Sequence, residues 1–245
     1  MDGLIAYFTL IGFGPRGWGA ALAQATLMTL AVSIAAFGVG IVFGMFGCWA
    51  KLSGSVVARG AATAYTTILR GIPDLLVIYL LYFGGSQAIG SIARLLGHQG
   101  FFGLNGFVVG TLAVGIVSGA YETEVLRGAY QAIPRGELEA ARVAGMGRLL
   151  MLRRIIAPQT LRFALPGMGN VWQLVIKESA LISVVGLVEI MNQTRIAVGS
   201  TGAAFSFYAT GAALFLVVTT FSGAAFRRAE RWAMRGMPSG GGRRA

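Results

Sequence analysis

Charge is scarce in this sequence, and so are the residues from which most active sites are built. Only 12% of the 245 residues are charged, about half the share usual in a soluble domain. There is one cysteine, Cys48, and one histidine, His98. A single cysteine excludes an internal disulfide, and in an apolar run it reads as a small packing residue. One histidine and no metal-ligand spacing leave little from which to build a membrane-embedded enzyme, and no cofactor or metal is expected. The only lysines are Lys51 and Lys177. Neither belongs to a phosphate-binding loop, so no nucleotide-hydrolysing site is expected in this chain. The N-terminus lacks a basic region ahead of its first apolar run, and no cleavable signal is expected.

What is abundant is apolar: 56% of residues are hydrophobic. Uncharged runs cover residues 17–50, 75–93, 95–121 and 196–226. Each reaches the roughly 20 residues that cross a hydrocarbon core. A shorter run, 179–188, continues 163–176 across Lys177 and Glu178. The chain is therefore expected to be an all-α integral membrane protein of about five transmembrane helices, near 20–48, 73–92, 104–121, 165–190 and 205–226. Pro73 breaks the second apolar region, with 56–69 lying at or entering the cytoplasmic side. The 37 glycines suit close helix packing in lipid. Three parts follow: a periplasmic segment 1–19, a membrane domain 20–226 and a basic tail 227–245.

A net charge of +11 invites a nucleic-acid reading, but the arginines lie in loops between apolar spans rather than on a face interleaved with aromatics. With alternate loops on opposite sides, one side holds Lys51, Arg59, seven arginines from Arg127 to Arg162 and six from Arg227 to Arg244. The other holds Arg16, Arg94 and Arg195, with Arg70 and Lys177 set apart inside spans. Fifteen against three places the N-terminus outside and the C-terminus inside by the positive-inside rule.

The densest charge lies between Glu122 and Arg162. Pro134 suits a helix start, an Ala- and Glu-rich run follows with good helix propensity, and Gly145 can end it in a left-handed conformation. A second short helix is expected over 148–156, stopped by Pro158. Ala140, Ala141 and Ala144 form a small-residue face that lets another protein approach. Glu139-Ala140-Ala141, then Gly145 and Ile155, resembles the EAA loop of the membrane subunits of bacterial ABC importers. The family pattern closes with Leu-Pro, whereas here it is Ala157-Pro158. Two further elements resemble the amino-acid importers in the same order: Arg70-Gly71-Ile72-Pro73, and Tyr121 with Glu124, Arg127 and Gly128.

Charged groups inside spans are candidates for function. Arg70 and Asp74 are four apart, hence on one helical face, as a self-neutralised pair at a kink or a pair facing a ligand. The aspartate after this motif resembles the histidine/lysine/arginine/ornithine and opine branch of permeases, which implies a cationic cargo. Glu124 and Arg127, three apart, suit an ion pair at a helix end. Glu122 lies about 200° around the helix from Glu124 and faces the pathway or the headgroups. In the fourth span, Asn170, Gln173 and Lys177 fall at i, i+3 and i+7 and make one polar stripe, lining the pathway or the seam to a second permease subunit. Glu178 follows in a stretch similar to the histidine-type permeases.

The resemblance implies a type I ABC importer permease fold in a bacterial inner membrane. It implies coupling through Glu139, Ala140, Ala141 and Gly145 and a substrate pathway past Arg70, Asp74, Glu122, Glu124, Asn170, Gln173, Lys177 and Glu178. The implied partners are two ABC ATPase subunits, a second and preferably sister permease, a periplasmic amino-acid binding protein and membrane lipid. The competing reading, a secondary amino-acid transporter or channel without an ATPase, would show inverted repeats of its spans. Five unequal spans show none.

Overall fold

The computed structural model describes residues 7, 9–15, 17–95 and 105–235, with the backbone alone for 92–94. Arg16, the Arg94 side chain, His98 and the end of the tail, with Arg243 and Arg244, lie outside the described residues.

Among the described residues every regular element is helical. Helix α1 spans Gly19–Leu52. At 1.5 Å per residue its 34 residues reach about 50 Å, well beyond a hydrocarbon core of about 30 Å. It stops at Ser53, whose N–H and hydroxyl both donate to the Ala50 carbonyl. Helix α2, Val56–Gly71, starts where the Ser55 hydroxyl accepts from the Ala58 N–H. Pro73 then permits no continuation, and α3 (Asp74–Tyr79) leaves at 109° to α2. A π-helical turn, Leu80–Gly84, carries α3 into α4, Gly85–Leu95.

Helix α5, Gly106–Gln131, is capped by Asn105, whose side-chain oxygen accepts from the Phe107 N–H at 2.8 Å. Two-thirds (67%) of its apolar window is buried, against 33% for α1 and 22% for the last helix, α10 (Ala204–Ala233). So α5 is the central rod, and the outer two leave most of their apolar windows uncovered by the rest of this chain.

The tightest contact is between α1 and α5, and small residues on both sides make it possible. A Cβ placed on Gly44 would lie 2.8 Å from the Glu122 Cβ and 3.3 Å from the α5 backbone. One on Gly47 would meet the Thr123 hydroxyl at 2.3 Å, and one on Gly115 would meet the Ala36 carbonyl at 2.9 Å. In lipid such close approach supplies the van der Waals attraction that holds helices together. The core continues above this seam through Val32, Ala36, Ile78, Val114, Val175 and Ile182. Phe37, Trp172 and Phe226 join α1, α8 and α10 with ring centres 5.4 to 6.0 Å apart, Phe37 edge-on to the other two rings.

Among the described residues three helices are long and apolar enough to cross a membrane, Gly19–Leu52, Gly106–Gln131 and Ala204–Ala233, and four if the broken pair counts as one span. The span expected over 165–190 differs most. Helix α8 runs Ala157–Glu178, tightens into a 3₁₀ stretch at Ser179–Val185, and is turned aside at Gly186, where φ is +85°. The chain re-enters helix as α9, Ile190–Thr201. Glu189, fully buried, caps it: its carboxylate accepts from the N–H groups of Met191 and Asn192 at 2.8 and 2.7 Å. The Ile190 N–H donates to the Thr29 hydroxyl, tying α9 to α1.

Candidate functional site

Most of the candidate residues fall in two regions, one at each end of α8. The first lies around the break between α2 and α3. Arg70 and Asp74 do not share a helical face, as their spacing suggests, because the helix ends between them. Arg70 closes α2, with its guanidinium 5.2 Å from the centre of the Tyr121 ring on α5, within cation–π range. Asp74 opens α3, where the first-turn N–H groups favour a negative charge. Its carboxyl lies beside that of Glu178 at the end of α8. Glu178 is buried, and neither of its oxygens makes a hydrogen bond of ordinary geometry. The break thus gathers two acids, one guanidinium and one phenol from four helices. Only the identity of these residues was legible beforehand, not the meeting of Asp74 with Glu178, some hundred positions apart in the chain.

Asn170, Gln173 and Lys177 all fall on α8, and the expected stripe is divided. Asn170 and Lys177 are exposed. Gln173 turns toward α10, where a Cβ on Gly223 would lie 3.3 Å from its amide nitrogen.

Glu122 faces neither an open pathway nor headgroups in this chain. It is fully buried with both oxygens unpartnered, against Gly40 and Gly44 of α1. Glu124 is not free to line a pathway either. It accepts from Arg127 at 2.9 Å, the expected pair, and is also bound by Lys51 at the end of α1. The Lys51 ammonium donates a further bond to the buried Thr66 hydroxyl at 2.7 Å. This network fastens α1, α2 and α5 together. No local spacing could reveal Lys51 as the partner.

The second region is the polar connection between α5 and α8. Helix α6, Arg135–Val143, begins after Pro134, which stands just before the first turn rather than in it. Gly145 has φ +75°. Its N–H donates to the Arg142 carbonyl and that of Met146 to the Ala141 carbonyl, both at 3.0 Å. These two bonds are the Schellman closure that a left-handed glycine makes possible. Glu139 and Ala140 are exposed, whereas Ala141 is buried and leaves the small-residue face. A hydrogen bond between Gln159 and Glu137 ties α6 to the start of α8.

Pro158 does not stop a helix. Helix α7, Arg148–Met151, passes through a π-helical turn, Leu152–Ile156, directly into α8, with Pro158 in its first turn. Proline cannot close the ladder at this point, and the wider π-helical turn immediately before it lets the helix continue past the missing bond. The two apolar side chains left most exposed on this connection are Val143, at 90%, and Leu149, at 78%.

Comparison with known proteins places this arrangement. Residues 39–233 match the family described as binding-protein-dependent transport system inner membrane component. The octopine transport system permease protein OccQ of Rhizobium radiobacter is 57% identical over 234 residues, spanning 96% of this chain and 99% of its own. The histidine/lysine/arginine/ornithine transport system permease protein HisQ of Escherichia coli is 35% identical over 215 residues, with 88% and 94% covered. Among solved structures, a crystal structure of an amino acid ABC transporter with histidines matches at a TM-score of 0.74 and 29% identity, over 88% of this chain and 95% of that one. The family match begins within α1 and runs to the end of α10, and the chain belongs to the family of binding-protein-dependent transport system inner membrane components, the permeases of ABC importers.

Proposed function

We propose that this permease forms half of the translocation pathway of an importer for basic amino acids or opines. The observation that carries the reading is the side-by-side pair Asp74 and Glu178, with Arg70 a few residues away across the break. A basic amino acid presents a cation at one end and a carboxylate at the other. Two acids with a guanidinium match that charge pattern, and the low local dielectric strengthens it. The named cargoes of the relatives, octopine and histidine, lysine, arginine and ornithine, share that pattern. Asn170 and Lys177 extend the pathway along α8 or meet a second permease.

The partners follow from the division of labour. Of two ATPase subunits, one docks on Glu139, Ala140 and the Gly145 turn of this chain, where Val143 and Leu149 offer apolar surface. A sister permease completes the pathway, and a periplasmic binding protein delivers the cargo. The chain lies in a bacterial inner membrane, crossing it about five times with its N-terminus outside. Reporter fusions test that topology: a cytoplasm-dependent reporter should be active after Met237 and within 135–153 and silent within 91–101. Activity at 91–101 would break the arrangement.

Asp74→Asn tests the cargo. A charge pair at about 4 Å and an effective dielectric near 20 is worth roughly 4 kcal/mol before desolvation, and desolvation offsets much of it, leaving about 1 to 2 kcal/mol. Uptake of arginine should therefore lose five- to thirty-fold in apparent affinity, after normalising to protein in the membrane, with a neutral substrate little changed. Equal loss for both substrates, or a drop in protein level alone, would make Asp74 a structural residue.

A further inference from the structure

The arginine-rich ends of α8 and α10 converge on a cleft of about 640 Å³, within the roughly 300–1,000 Å³ usual for small-molecule sites. Pro158, Leu161 and Leu165 of α8 make one wall, Trp232 of α10 the other, and Arg162 and Arg235 line it with them. The apolar parts are open: Leu161 is 61% and Trp232 71% exposed. Among the described residues neither Arg162 nor Arg235 is in an ion pair. Of the acids around it, Glu230 lines a separate cleft with Arg227 and Arg231, and Glu137 is hydrogen-bonded to Gln159.

We propose that this cleft holds an anionic phospholipid, its phosphate between Arg162 and Arg235 and an acyl chain against Leu161, Leu165 and Trp232. The surface asks for a ligand that is apolar at one end and negative at the other. A guanidinium presents a planar fork of donors that fits phosphate oxygens. An indole at the end of an apolar span belongs at the headgroup level, and basic pockets between helices at that level select anionic lipid. The chain's own continuation is a poor occupant. Residues 236–245 carry Arg243, Arg244 and no acid, so they bring the same sign of charge. The apolar residues best placed for a docked ATPase, Val143 and Leu149, sit on α6 and α7, outside this lining. The inference rests on the reading of this chain as a membrane-embedded permease, which sets these helix ends at the membrane surface.

The test uses the assembled transporter purified in mild detergent, with the lipids it retains measured by mass spectrometry. Phosphatidylglycerol should be retained over phosphatidylethanolamine. Arg162→Ala or Arg235→Ala should each cut that retention about five-fold, as expected for one basic residue near an anionic surface. Arg59→Ala, an equal loss of charge elsewhere, should leave it unchanged. Quenching of Trp232 in the unaltered transporter gives a second measurement, isolated by comparison with Trp232→Phe. Brominated phosphatidylglycerol should quench it more than brominated phosphatidylcholine. Equal quenching by the two lipids, equal retention in all variants, or a Trp232 shielded from every lipid once the ATPase is bound would each overturn the proposal. The last outcome would assign the cleft to a protein partner. Uptake is not read in either measurement, so a negative result leaves the transport function standing.

Discussion

Gly145→Val should leave the permease in the membrane and bring uptake down to background. The glycine sits at φ +75° with no atom within 4 Å of where its Cβ would be, so the substitution makes no clash. The cost is conformational: a β-branched residue in the left-handed region is strained by about 1 to 3 kcal/mol. The chain can escape that strain only by opening the two hydrogen bonds that close α6, from Gly145 to Arg142 and from Met146 to Ala141. That would re-aim Glu139 and Ala140 while leaving the packed helices alone. Gly145→Asn is the matched control, because asparagine tolerates the left-handed region, and it should keep a substantial part of the uptake. The measurements are protein in the membrane, ATPase recovered with it, and uptake. Normal uptake in the valine variant would remove this turn from the coupling; equal losses in both variants would show that backbone handedness is not the cause.

The second large effect is expected on the α1–α5 seam, and there the loss is of folded protein. In Gly44→Val the first added carbon already meets the Glu122 Cβ at 2.8 Å and backbone atoms of α5 at 3.3 Å. Backbone cannot rotate aside as a side-chain tip can, so the two helices must separate along the whole seam. Overpacking of this kind costs about 1 to 3 kcal/mol or more, and it also disturbs the buried Glu122. Gly38→Ala on the same helix has nothing within 4 Å of its Cβ. It should be neutral or slightly stabilising, since alanine is the better helix former by about 1 kcal/mol. Thermal stability in detergent separates the two variants. If Gly44→Ala proves as stable as the parent, the seam is looser than this packing requires.

Patterns that act over a few residues were legible in the sequence, and partnerships across the chain were not. The left-handed turn at Gly145 was legible because only glycine takes that conformation without strain. The three long apolar helices were legible from length and absence of charge alone. Pro73 announced a break, but the break itself undid the pairing inferred from the spacing of Arg70 and Asp74, since a helical face exists only within one helix. Pro158 misled for the opposite reason: a π-helical turn before it let the helix continue, and no local rule foresees that turn. Glu189 could have been suspected as a cap, being an acid directly ahead of a helical run. The partners of Glu178 and Glu124, Asp74 and Lys51, come from distant parts of the chain and are set by packing.

The unbroken passage from the polar connection into α8 has a geometrical consequence. Helix α8 has 22 residues, so about 33 Å separate Ala157 from Glu178. A tilt of about 10° about Pro166, roughly 18 Å along the helix from Glu178, would carry the Glu178 carboxyl through about 3 Å, roughly one hydrogen-bond length. Motion at one end of such a rod is magnified at the other, and no chain of side-chain rearrangements is needed between them. Pro166 removes one rung of the ladder nearer the loop, which makes it the natural fulcrum. The long arm is then the one that ends on the acids.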